Sequence, residues 1–184
     1  MFYNVIFNSE ERLIKKAQSG SDSAWLALVQ RHEKRLYNQC LRLLRHQDDA
    51  LDVMQETLLS AYQGLSNFDG RSQLHTWLFR IAYNKAAEHF RRQRHHQSMD
   101  SVAEPSSNVL HMERPLMQAQ QNQQIIAELA QLPFEQRVVV EMKFFQHCTF
   151  EEIAQQLGVS ANTVKTRLYT ALGRMKPQLE VNDG

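Results

Sequence analysis

Two cysteines, six glycines, four prolines and a formal net charge of only +1 in 184 residues exclude several classes of protein at once. Cys40 and Cys148 stand singly rather than in a pair motif, which argues against a disulfide framework or a Cys-rich zinc site. Cys40 falls on an apolar helix face and is expected as a small core residue. So few glycines and prolines leave few breaks, which favours helices. The aliphatic run Val138–Val140 is far shorter than the roughly 20 apolar residues that cross a bilayer, so no membrane insertion is expected. The opening MFYNVIFN has neither a basic flank nor a small-residue cleavage site and does not read as a signal peptide. Met1–Asn8 is expected as a packed arm instead. There is no Gly-rich phosphate loop, nucleophile motif or metal-ligand cluster, so neither catalysis nor a cofactor is expected. A charge balance this close to zero says nothing about nucleic acid; the distribution of charge does.

What is present is apolar periodicity at three and four. Ser9–Gln18 reads as a short helix, and Asp22 can cap a long one reaching about Arg45. Its Trp25, Leu28, Val29, His32, Leu36, Cys40, Leu43 and Leu44 make one face. His46–Asp49 reads as a turn. Asp49, Asp52 and Glu56 then line one face of the next helix, with Val53, Met54, Thr57, Leu58, Ala61, Tyr62 and Leu65 as its buried positions. Acids in a first turn suit the helix dipole, but Glu56 lies nearly two turns in. The face is either solvated or a docking site for a basic partner.

Ser66–Ser72 carries turn residues around Phe68. A helix is expected over Ser72–Gln93, with Leu74, Trp77, Leu78, Ile81, Ala82 and Phe90 on its apolar side. Lys85, Arg91, Arg92 and Arg94 oppose Glu88 alone there, and Phe68, Trp77, Tyr83 and Phe90 interleave with the cations. Such a mixture binds single-stranded nucleic acid, stacking bases on rings and neutralising phosphate; the plainer reading puts Trp77 in the core. Gln97 to about Glu113 reads as a flexible linker. A helix from Pro115 to Gln131 and another over Phe134–Phe145 follow, the second with Val138, Val139, Met142 and Phe145 inward.

Thr149–Arg174 is the most informative stretch. Thr149 with Glu152 makes a capping box, Gly158 permits the positive φ that ends a helix, and Ser160 caps the next one. Val164, Leu168, Leu172 and Met175 form its apolar stripe. Two helices joined this way, with small Ala154 at their crossing, make a helix-turn-helix. Ser160, Asn162, Lys165 and Thr166 fall where a recognition helix meets base edges and phosphates. Val159–Lys176 holds Lys165, Arg167, Arg174 and Lys176 and no acid, which suits a polyanion. A helical hairpin with a solvated basic face is the plainer alternative.

Three segments in this order resemble the bacterial sigma factors of the extracytoplasmic-function group, over about Leu13–Leu179. DALDVMQETLLSAY (Asp49–Tyr62) is similar to the family's core-polymerase-binding helix, Phe68–Arg94 to its −10-element segment, and the helix-turn-helix to its −35-reading region. The resemblance implies an all-α protein of two small helical domains: region 2 over 1–96, a linker over 97–120 and region 4 over 121–184. It implies docking on a basic coiled coil of core RNA polymerase through Asp49, Asp52, Gln55 and Glu56. It assigns the melted −10 element to Phe68, Asp69, Arg71, Ser72, Arg80, Asn84, Lys85, Arg91, Arg92 and Arg94, with a flipped base held by the loop. It assigns the −35 duplex to Ser160, Asn162, Thr163, Lys165, Thr166, Arg167 and Arg174. Leu51 stands where the family usually has Glu, and Asn162 where it often has Gly. An anti-sigma partner and a cytoplasmic location, near the inner membrane if that partner is membrane-bound, also follow from the resemblance. Two alternatives remain: a helix-turn-helix repressor or activator acting without polymerase, and an enzyme with metal at His89, His95, His96 and His111. Adjacent His95 and His96 suit no regular ligand spacing.

Overall fold

The computed structural model describes the backbone of residues 2–97 and 125–179 and the side chains of residues 9–93 and 125–175. The expected linker beyond Gln97, the helix start at Pro115 and His111 lie outside the described residues, as do the side chains of Met1–Asn8, Arg94, His95 and His96. Among the described residues every regular element is helical, as the periodicity requires.

Helix α1 (Phe2–Gln18) begins well before the expected Ser9, and its Leu13, Ile14 and Ala17 pack against the core. Helix α2 (Asp22–Leu44) is capped by Ser21, not Asp22: Ala24 N–H donates to Ser21 Oγ at 3.3 Å. Asp22 instead sits in the first turn, where the dipole favours it, and accepts from Tyr62 Oη at 3.1 Å. The helix stops at Arg45, which takes the left-handed conformation (φ 69°) and returns its N–H to Leu41 O. Helix α3 (Gln47–Gly64) therefore starts inside the stretch expected as a turn, with Asp48 and Asp49 in its first turn. It buries Ala50, Val53, Thr57 and Ala61. Tyr62, expected inside, is 48% exposed, its ring tilted against Trp25 at 5.5 Å.

A 3-10 turn (Leu65–Asn67) and a loop lead to α4 (Leu74–Gln97), which starts later and runs further than expected. It buries Leu74, Leu78, Phe79, Ala82 and Ala86. After a helical run at 125–130 comes α5 (Phe134–Val140). The expected continuation to Phe145 is a π-turn (Glu141–Phe145), with Gln146 N–H donating to Glu141 O at 3.1 Å. Helices α6 (Phe150–Leu157) and α7 (Ala161–Leu179) complete the chain.

The apolar stripe of α7 is Val164, Leu168, Ala171 and Met175. Leu172, expected in it, is exposed. Each residue turns about 100°, so the step from Leu168 to Ala171 holds the stripe on one line whereas Leu172 rotates off it. One cluster of buried apolar residues runs from Leu28 in α2 through Leu78 in α4 and Val139 in α5 to Ala171 in α7. The two halves expected from the sequence thus share a core.

Candidate nucleic-acid and polymerase interface

The structure divides the acidic face of α3. Asp49 and Glu56, seven residues apart, lie on one line of the helix and turn toward α4. Glu56 lies 3.7 Å from Lys85 Nζ and 3.9 Å from Arg92 Nη2. Asp49 lies 3.3 Å from His89 Nε2 and accepts from Gln93 Nε2 at 3.5 Å. Asp52 and Gln55 face outward instead. Beside them are Leu51 and Leu59, the latter 59% exposed. The sequence reading missed Leu59. A leucine seven residues after Asp52, on the helix line that carries that acid out to solvent, is the signal that marks it.

The loop before α4 is built from inside out. Phe68, placed by the sequence among the DNA-binding groups, is buried, its ring 5.1 Å from that of Trp77. It anchors the loop, and the groups it leaves at the surface are Asp69, Arg71 and Ser72. Gly70 takes φ +73°, which a side chain would strain. Asp69 Oδ1 accepts the Arg71 N–H at 3.0 Å, and its Oδ2 lies 3.0 Å from Arg71 Nε. Gln18 of α1 fixes the loop from the other side, its Nε2 donating to Leu65 O at 3.0 Å and Phe68 O at 2.8 Å.

Along α4, Arg80, Asn84, Arg91 and Arg92 are exposed and Lys85 half-buried. Asn84, Lys85 and Arg91 line one wall of a groove of about 630 Å³, with Gln155, Gln156 and Gly158 of the helix-turn-helix on the other. The rings on this side of α4 are occupied. Tyr83 stacks on Phe134 at 6.0 Å with planes 3° apart, and Phe90 meets Phe134 at 4.6 Å. Burial pushes the Tyr83 phenol up, with the Glu135 charge adding to it.

The helix-turn-helix has the expected joints. Thr149 Oγ1 accepts from Glu152 N–H at 3.2 Å, and the Glu152 carboxylate accepts from Thr149 N–H at 2.7 Å. The Thr149 N–H, and then the Thr149 hydroxyl at 2.9 Å, donating to that carboxylate hold its pKa below the usual range. Gly158 takes φ 66°. Ser160 Oγ accepts from Thr163 N–H at 3.0 Å and shares a 2.8 Å bond with Thr163 Oγ1, so these two shape the helix start. Asn162, Lys165 and Thr166 face outward together. Arg167 and Arg174 lie on a different line of α7, and Arg174 Nη1 donates to Gln136 Oε1 of α5 at 3.4 Å. Tyr169, which the sequence reading omitted, stands among the outward residues at 67% exposure. An aromatic four residues after Lys165 and three after Thr166 is the signal for it. Among the described residues there is no group of histidines, cysteines and acids able to hold a metal, and no helix long and apolar enough to cross a membrane.

Known proteins resemble the chain over most of its length. The family profile Sigma-70 region 2 matches residues 28–96, and Sigma-70, region 4 matches residues 122–175. The RNA polymerase sigma-H factor of Pseudomonas aeruginosa is 27% identical over 172 residues, covering 88% of this chain and 89% of the relative. The ECF RNA polymerase sigma factor SigW of Bacillus subtilis is 25% identical, covering 92% and 96%. The fold is shared with the sigma factor RpoE of Bartonella quintana, solved with the anti-sigma factor NepR. That match has a TM-score of 0.71 at 24% identity and covers 84% of this chain and 96% of the other.

Proposed function

Since the chain belongs to the extracytoplasmic-function sigma factors, we propose how its surfaces divide the work of an alternative sigma factor that binds core RNA polymerase and directs it to promoters. The outward stripe of α3, with Asp52 and Gln55 flanked by Leu51 and Leu59, docks on the polymerase. Asp49 and Glu56 hold α3 against α4 and shape that stripe from behind. The loop around Asp69, Arg71 and Ser72 captures a base unstacked from the −10 element, since a pocket that takes the base offsets an unstacking cost of a few kcal/mol. Arg80, Asn84, Lys85, Arg91, Arg92 and Arg94 follow the strand. Asn162, Lys165, Thr166 and Tyr169 read the −35 duplex, while Arg167 and Arg174 serve its flank.

Each reader alone is small. Coupling two of them through one polymerase raises the effective concentration of the second once the first is bound. The protein makes no covalent change in this scheme and is read as a non-catalytic subunit that works in the cytoplasm, where its polymerase is. Units 1–96 and 121–184, joined by 97–120, form its two domains. The structural likeness to a sigma factor solved with an anti-sigma factor supports an anti-sigma partner here also.

The observation that carries this reading is the outward Asp52–Gln55–Leu59 stripe on the helix matched by the region 2 profile. Size-exclusion chromatography with core polymerase tests it. The wild-type chain should co-elute and Asp52→Arg should not, with Leu59→Ser weakening the complex. Unchanged co-elution of both variants would remove the docking face. No complex for the wild type, with tight duplex binding by the chain alone, would favour the repressor reading.

A further inference from the structure

Glu141 has no exposed surface. Its carboxylate takes a two-pronged pair from Arg42 of α2, Nε to Oε2 at 2.6 Å and Nη2 to Oε1 at 2.8 Å. Gln146 Nε2 also donates to Oε1 at 3.3 Å. The Arg42 guanidinium lies 4.1 Å from the centre of the Phe145 ring. Arg35 Nη2 donates to Phe145 O at 3.4 Å and to Gln146 Oε1 at 3.3 Å. Buried Arg137 of α5 donates to Leu43 O in the last turn of α2 and to Leu132 O, and Arg45 donates to Ala130 O. Arg137 thereby answers a carbonyl that a helix end leaves unpaired.

All these bonds across α2 join the half that carries α3 and α4 to the half that carries the helix-turn-helix. On the neighbouring side Phe134 covers Tyr83 and Phe90 of α4. A carboxylate wholly removed from water and matched only in this arrangement makes the closed form specific, because removing its partner strands a buried charge. Neither the family assignment nor the reading of the three surfaces requires such a pair.

We propose that the chain holds itself closed, the buried Arg42–Glu141 pair latching its two halves so that the aromatic face of α4 is withheld until polymerase draws them apart. The role given to α4 rests on the promoter reading above; the latch itself does not. Weakening it raises the fraction of chain competent to bind, and with it the apparent affinity for polymerase.

Energy transfer in the full chain tests this, with dyes on Gln63→Cys of α3 and Thr170→Cys of α7. The native cysteines are buried and take little dye. The wild type should show high transfer. Arg42→Ala and Glu141→Gln should each lower the closed-to-open ratio at least tenfold, and the combined Arg42→Gln/Glu141→Gln variant no more than either. Arg42→Lys, which keeps the charge without the fork, should fall between. The named side-chain partners of Arg42 all lie in the other half, so its variants keep their own bundle, which circular dichroism checks. Low transfer in the wild type, or high transfer retained by all the variants, overturns the latch. Variants that open yet associate with polymerase no faster than wild type overturn its role as a barrier. A wild-type chain that forms no polymerase complex removes the sigma reading, while the transfer data still decide the latch.

Discussion

Helices α4 and α7 both carry exposed cations, but they meet different neighbours. On α4, Lys85 and Arg92 lie beside Glu56 of α3, and Arg92 lies also 3.6 Å from Glu88. On α7, the stretch Val159–Lys176 contains no acid. Lys165 Nζ lies 5.5 Å from the centre of the Phe150 ring, and Arg174 meets a glutamine. The first surface carries its own counter-charge; the second presents its charge to whatever approaches. Charge counted along α4 alone finds Glu88 but misses Glu56, which comes from another helix.

The largest test of this contrast is Lys165→Glu, which places an acid on the open surface. Promoter binding by the holoenzyme should fall about ten- to a hundredfold, in line with roughly 1–3 kcal/mol for a groove contact. Electrophoretic mobility shift at fixed salt checks it, and a loss under threefold would remove α7 from the −35 contact.

Acid should destabilise the N-terminal half next. His75 at the start of α4 is held down to about 4, by burial first and then by Arg35 and His32, with Glu10 opposing. Its folded pKa lies below the unfolded value near 6.5. Its contribution is therefore full above about 6.5 and is lost as pH falls toward 4. Discounted for partial exposure, the effect is about 1–2 kcal/mol. The lowered Glu152 of the capping box loses its contribution only below the ordinary carboxylate range. Thermal melts from pH 7 to 4 should fall more steeply for wild type than for His75→Gln, and equal slopes would refute the assignment.

Thr149→Ala should cost about 1 kcal/mol through the lost cap, read as a lower melting midpoint, with docking on polymerase unchanged. The smallest effect is expected from Glu56→Gln. It frees Lys85 and leaves Arg92 with Glu88 alone, so the free chain should bind single-stranded oligonucleotide two- to threefold more tightly, with a steeper salt dependence. An unchanged salt slope would show that the pairing is too exposed to matter.

The helix-turn-helix was legible because its signals are local. Thr149 with Glu152, Gly158 and Ser160 act within a few residues, and each joint is where the spacing puts it. The outward exposure of Asp52 and Gln55 also follows from spacing. The division of the acidic face does not, because Asp49 and Glu56 are claimed by side chains more than 25 residues away. Phe68 could not be told from a surface aromatic without Trp77 beside it. Glu141 had a readable position, three residues after Val138 and four before Phe145 on the inward line. Its charge hid that, since a buried acid is intelligible only once Arg42 is opposite. Leu172 was misplaced by preferring the larger apolar side chain over Ala171.

The π-turn at Glu141–Phe145 has a further consequence for length. It accommodates one residue more per turn than the α-helix before it. Deleting a single residue there would let the segment relax to an ordinary helix. Everything downstream would keep nearly its present bearing, whereas a deletion within the regular helix α5 would reorient it by about 100° around the axis and draw it back by about 1.5 Å. The segment works as a store of slack: it absorbs a one-residue deletion, whereas the same deletion in α5 would turn the recognition helix away from its present bearing while leaving its own sequence untouched.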